Sequence, residues 1–122
     1  MRVMDATAVR RLCQGFPEAV EERPFGPRTT VFKVAGKIFA IVALEAEPPL
    51  KISLKCEPEL VPALRAAHAA INPGYHLDKR HWNTVTLDGS LPESMVHDLV
   101  EDSYDLVVMG LPKAARERLR PH

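Results

Sequence analysis

Apolar residues recur at helical spacing from Val9 through Leu12 and Cys13 to Phe16. Asp5 stands where an N-cap belongs, and Gly15 followed by Pro17 is placed to stop the run. The next stretch, PEAVEERPFGPRTT, carries three prolines and a glycine, which favours irregular chain or a short edge strand over a second helix, with Glu18, Glu21 and Glu22 facing water. Val31 to Val34 and Ile38 to Leu44 are rich in β-branched and aromatic residues and flank Ala35-Gly36. That pattern predicts two antiparallel strands joined by a tight turn, with Phe32 opposite Phe39, both rings on one face and Lys33 on the other.

After the loop EAEPP, strict alternation from Leu50 to Cys56 puts Leu50, Ile52, Leu54 and Cys56 on one face and Lys51, Ser53 and Lys55 on the other. Pro58 then opens a helix on which Leu60, Leu64 and Ala67 share a face, and Asn72-Pro73-Gly74 ends it with a turn. Tyr75 to Leu77 and Asn83 to Leu87 read as short strands within and after GYHLDKRHWNTV, with a turn at Asp88-Gly89. From Pro92, the spacing of Met95, Val96, Leu99, Val100, Leu106 and Val107 predicts a long last helix, interrupted by Gly110 and Pro112 before the basic tail KAARERLRPH. The order helix, strands, helix, strands, helix is that of an α+β domain.

A chain of 122 residues with 46% apolar content forms one two-layer domain over residues 1–122. Sixteen basic residues balance sixteen acidic ones, so attraction to nucleic acid or anionic lipid must come from a local patch. Cys13 and Cys56 form no Cys-x-x-Cys unit, which leaves reduced, buried thiols as the expectation. The N-terminus lacks an apolar signal core and the longest apolar run, Ile38 to Leu44, is too short to span a bilayer. These features predict a cytoplasmic protein.

The strings FGPRTTVFKVAGKIFAI, LKCEPE, PGYHLDKRHWNTVTLDGSLP and SYDLVVMGLPKAAR resemble the MmcQ/YjbR-like family of small bacterial proteins, and the match runs over nearly the whole chain. The resemblance implies a fold similar to that of secretion chaperones, a two-layer α/β sandwich with helices on one side of an antiparallel sheet. It also implies a proposed DNA-binding role through a double-wing arrangement. Fold likeness does not carry function across.

The densest cluster of chemistry is GYHLDKRHWNTV. As a DNA contact, Lys79 and Arg80 would neutralise phosphates while His81 or Tyr75 stacks or hydrogen-bonds, and Asp78 subtracts one charge. As plain structure, the cations lie on a solvated turn that Trp82 and Tyr75 anchor into the core. Lys51 and Lys55 extend the candidate set if they cluster with Lys79 and Arg80, and otherwise serve solubility; Lys33 and Lys37 are weaker additions. A metal on His76, His81 and Cys56 lacks zinc-site spacing, and a nucleophilic Cys56 near Lys55 and His76 or His81 requires an exposed thiol of lowered pKa. No glycine loop cradles a phosphate, and no cofactor is implied. The expectation is a non-enzymatic binding module with DNA as candidate ligand through Lys79, Arg80, His81, Lys51 and Lys55. The alternatives are a protein-interaction module and, third, a small enzyme using His76 or Cys56. A contiguous positive patch, an exposed apolar patch or a polar pocket would separate them.

Overall fold

The computed structural model describes residues 3–74 and 77–119. Helix α1 (Ala6–Gln14) starts at Asp5, whose Oδ1 accepts the Ala8 N–H at 2.9 Å, and ends at Gly15. Strands β1 (Val20–Glu22), β2 (Thr30–Val34), β3 (Lys37–Val42) and β4 (Lys51–Lys55) follow. Helix α2 (Val61–Ala67), β5 (Ile71–Pro73), β6 (Trp82–Thr86), α3 (Glu93–Met109) and α4 (Lys113–Leu119) complete the described chain. The six strands form one antiparallel sheet in the order β1-β2-β3-β4-β6-β5. The architecture is α+β, as the patterning predicts.

The predicted turn between β2 and β3 is present: Ala35 and Gly36 both have positive φ, 49° and 79°, and Val34 pairs with Lys37. The register beyond it differs from expectation. Lys33 pairs with Ile38 but Phe32 pairs with Ala40, so Phe39 is an extra residue, a β-bulge. The bulge lets Phe39 and Ala40, neighbours in sequence, both enter the core, where Phe39 meets Phe32 at 6.5 Å and Tyr104 of α3 at 5.3 Å.

Three further boundaries move for identifiable reasons. Helix α2 begins at Val61, because a helix started at Pro58 would carry Pro62 in its interior, where the ring clashes and no N–H is available. Residues 71–73 are not a turn but the edge strand β5, where Pro73 is tolerated because an edge needs no second row of donors. Tyr75 and His76 lie outside the described residues, and Leu77 sits in a bend rather than a strand. The basic tail is helical from Lys113, with Leu119 buried.

Strand alternation divides the sheet into two unlike faces. Phe32, Val42, Ile52, Leu54, Ile71 and Val85 share the face covered by the helices and belong to one core with Val9, Cys13, Val100 and Tyr104. The opposite face carries Ile41, Ser53, Lys55, Trp82, Thr84 and Lys51, mostly half-buried or exposed. Helix α3 lies over β3 and β4 while α2 packs on β5, so β6 is left between them. No helix among the described residues is long and apolar enough to cross a membrane.

Candidate functional site

The cationic turn is built around Asp78. Its Oδ1 accepts the Arg80 N–H at 2.9 Å, its Oδ2 lies 2.7 Å from His81 Nδ1, and its carbonyl accepts the N–H groups of His81 and Trp82. The Arg80 N–H, then the His81 ring, hold the Asp78 carboxyl below its ordinary range. Arg65 of α2 secures the turn from the other side: Nε donates to buried Asn83 Oδ1 at 2.8 Å, and Nη2 donates to the carbonyls of Lys79 and Trp82. The functional reading had no role for Arg65, yet it is this cation that fixes the turn.

The five candidate contact residues are only partly brought together. Lys55 pairs across the ladder with Trp82, beside the turn that exposes Lys79 and Arg80. Lys51 pairs with Thr86 at the far end of β4, about 13 Å away at the rise of a strand. Two of the charges are engaged locally: Lys79 Nζ donates to the Gly74 carbonyl at 3.2 Å, and His81 faces Asp78. Lys33 is paired with Glu22 at 3.0 Å. Trp82 is half-buried and lies on the helix-free face, so it does not anchor the turn in the core as the sequence pattern suggested. Of the acids expected to face water, Glu21 is held by Arg10 at 2.9 Å and Glu18 by Arg118 at 2.8 Å.

On the other face, the gap between α2 and α3 forms a groove of about 260 Å³. Leu54, Ile71, Asn83 and Val85 make its floor; Leu60 and Leu64 line the α2 side, and Leu99, Leu106 and Met109 the α3 side. Leu60 and Met109 are 50% and 70% exposed at its mouth. The charged lining residues are Glu57, Asp102 and Asp105, with Lys55. Alternation within β4 turns the Lys55 side chain to the opposite face from Leu54. Partial desolvation raises the carboxyl pKa of both Asp102 and Asp105, and neighbouring Asp105, Asp98 and Glu57 add to the effect at Asp102.

Cys56 also lines this groove, half-buried rather than inside the core, one residue beyond the end of β4. Desolvation, then Asp102 and Glu57, raise its pKa, the reverse of what a thiolate nucleophile needs. Cys13 is fully buried and pushed up to about 12. Among the described residues no group of His, Cys, Asp or Glu side chains is placed to hold a metal ion. His76 lies outside the described residues.

A family model described as YjbR matches residues 14–106. The chain belongs to the YjbR family. It is 39% identical over 116 residues to the uncharacterised protein YjbR of Escherichia coli strain K12, covering 95% of this chain and 98% of that one. The uncharacterised protein YbdF of Escherichia coli O157:H7 is 40% identical over 98 residues, 80% of each chain. The crystal structure of Deinococcus radiodurans protein DR2400, a DUF419 domain, superposes with a TM-score of 0.88 at 40% identity, covering 96% of this chain and 88% of that chain.

Within this YjbR chain, the groove was the feature that residue patterns concealed. Helix α3 places Leu99, Leu106 and Met109 beside the core positions Val96, Val100 and Val107, an apolar stripe wider than one packed face requires. That width, together with acids and no Lys or Arg on the same helix, was the available signal.

Proposed function

We propose that this YjbR-family chain is a binding module that docks a protein partner by an apolar anchor in the groove between α2 and α3. The observation that carries the reading is the apolar groove over β4 and β6, with Leu60 and Met109 exposed at its mouth. A volume of about 260 Å³ lies below the usual range for cofactor-sized ligands and suits one or two inserted side chains. The raised thiol pKa of Cys56 speaks against nucleophilic chemistry at the same place. Nile red fluorescence tests the groove. Binding should be lost in the Leu60→Ser, Met109→Ser double variant while its thermal midpoint stays close to the parent's, since both side chains are exposed. Absence of dye binding, or full retention in the variant, would overturn the reading.

A second reading, contact with DNA, is favoured by one juxtaposition: Lys55 opposite Trp82, beside the exposed Lys79 and Arg80. Lys51 stands apart and His81 is engaged with Asp78, so the contact set contracts to Lys55, Lys79 and Arg80. Fluorescence anisotropy with duplex DNA should then give affinity that falls with salt. Lys79→Ala with Arg80→Ala should weaken binding to all sequences alike and reduce the logarithmic salt slope by about 1 to 2. No binding at low salt, or a variant indistinguishable from the parent, removes this reading.

A further inference from the structure

We infer that the α2–α3 groove selects a basic partner, a peptide segment whose apolar anchor is flanked by Lys or Arg. The inference rests on the groove reading above and adds the chemistry of the occupant. In a chain of zero net charge, α3 carries Glu93, Asp98, Glu101, Asp102 and Asp105 and no Lys or Arg. Asp102 and Asp105, three residues apart, present their carboxylates on one side of the groove. Glu57, in the connection before α2, lies among the same lining residues and acts electrostatically on Asp102.

No ion pair among the described residues neutralises these three carboxylates. Five basic side chains are paired with other acids: Lys33 with Glu22, Arg10 and Arg23 with Glu21, Arg118 with Glu18 and Lys113 with Glu117. Arg65 of α2 directs its guanidinium to Asn83 and the carbonyls of Lys79 and Trp82, and Lys55, the cation among the lining residues, has its side chain turned to the opposite face of β4. An apolar floor bordered by unpaired like charges repels an acidic segment and rewards a basic one, because complementary charge fixes register and suppresses wrong partners. The same negative border makes this face a poor surface for nucleic acid, which the opposite, lysine-bearing face would have to contact.

The experiment compares three fluorescein-labelled amphipathic peptides of one sequence, with the leucine anchor flanked by Lys, by Gln or by Glu. Displacement of Nile red from the intact chain is read in parallel. At low salt the Lys peptide should bind about three- to tenfold more tightly than the Gln peptide, the Glu peptide more weakly still, with the differences shrinking as salt rises. Asp102→Asn with Asp105→Asn should bring the three affinities together. Equal affinities in the parent, or an unchanged Lys preference in the double variant, would overturn the charge inference while leaving the groove standing. Failure of all three peptides to bind and to displace the dye would overturn both.

Discussion

Ser103 of α3 donates a 2.6 Å hydrogen bond from its hydroxyl to the carbonyl of Phe39, the bulged residue of β3. The same oxygen accepts the Lys55 N–H of β4 at 2.8 Å. The ladder between β3 and β4 ends at the Ala40–Leu54 pair, so a helix side chain bridges the two strands where backbone pairing stops. The bulge that brings Phe39 into the core would otherwise leave a donor and an acceptor without partners. Ser103→Ala should therefore destabilise the domain by about 1 to 3 kcal/mol, more than loss of an exposed hydroxyl. Urea unfolding checks it. A shift within about 0.3 kcal/mol of zero would mean the strands close the gap themselves.

Arg65 joins α2 to the turn before β6 through three acceptors, one of them the buried Asn83 side chain. Arg65→Met keeps most of the apolar stem and removes every donor. The expected cost is about 1 to 3 kcal/mol, chiefly from leaving Asn83 Oδ1 unsatisfied. Amide exchange at His81 and Trp82, whose N–H groups bond to the Asp78 carbonyl, should accelerate more than exchange in β2. Uniform acceleration across the sheet would instead assign Arg65 a global role.

These contacts mark the limit of what residue patterns reveal. Helix α1 with its Asp5 cap, the Ala35-Gly36 turn, the alternation of β4 and the length of α3 follow from local periodicity and turn chemistry, which the chain carries at each position. The bulge at Phe39 does not, because a tight turn propagates its register only until tertiary packing favours another pairing. Nor does β5, whose Ile71-Asn72-Pro73 has too little alternation to read as a strand and exists because β6 is there to pair with it. The site divides the same way. Adjacent cations are visible as a string, whereas the groove joins Leu60, Leu99 and Met109 from segments distant in sequence.

The groove acids carry a signature in pH. Desolvation raises the folded pKa of Asp102 and Asp105 above that of the unfolded chain, so the native state binds their protons first. By linkage, their contribution to stability grows as pH falls through the folded pKa and is unfavourable at neutrality. Glu18, whose pKa is lowered by its hydrogen bond from Arg118, contributes in the opposite sense: its stabilisation is present above the unfolded pKa and lost as pH falls through the folded one. Asp102→Asn should raise the thermal midpoint at about pH 7, and the advantage should vanish near about pH 3, where the parental carboxyl is protonated. An advantage that persists in acid would assign the effect to packing.

The last prediction concerns Gly74, which the sequence pattern treats as part of a turn and the structure places in close contact with β6. Its N–H donates to the Trp82 carbonyl at 3.0 Å, and a Cβ added there would lie 2.9 Å from Trp82 Cβ, 3.0 Å from the Trp82 carbonyl oxygen and 3.2 Å from Leu77 Cβ. Two of these three atoms belong to the part of Trp82 that any side chain but glycine would keep, so rotation of the indole cannot relieve the clash. Gly74→Ala should force the two segments apart, cost about 1 to 3 kcal/mol, and shift the emission of the chain's single tryptophan. Trp82→Ala alone should cost about 1 to 3 kcal/mol, less than truncation of a fully buried ring, since the indole is half-buried on the helix-free face. The combination decides the mechanism. If the close approach of the two backbones is what requires glycine, the Gly74→Ala, Trp82→Ala double variant should be less stable than either single variant. Recovery to the level of Trp82→Ala alone would show that the indole, not the backbone, was the obstacle.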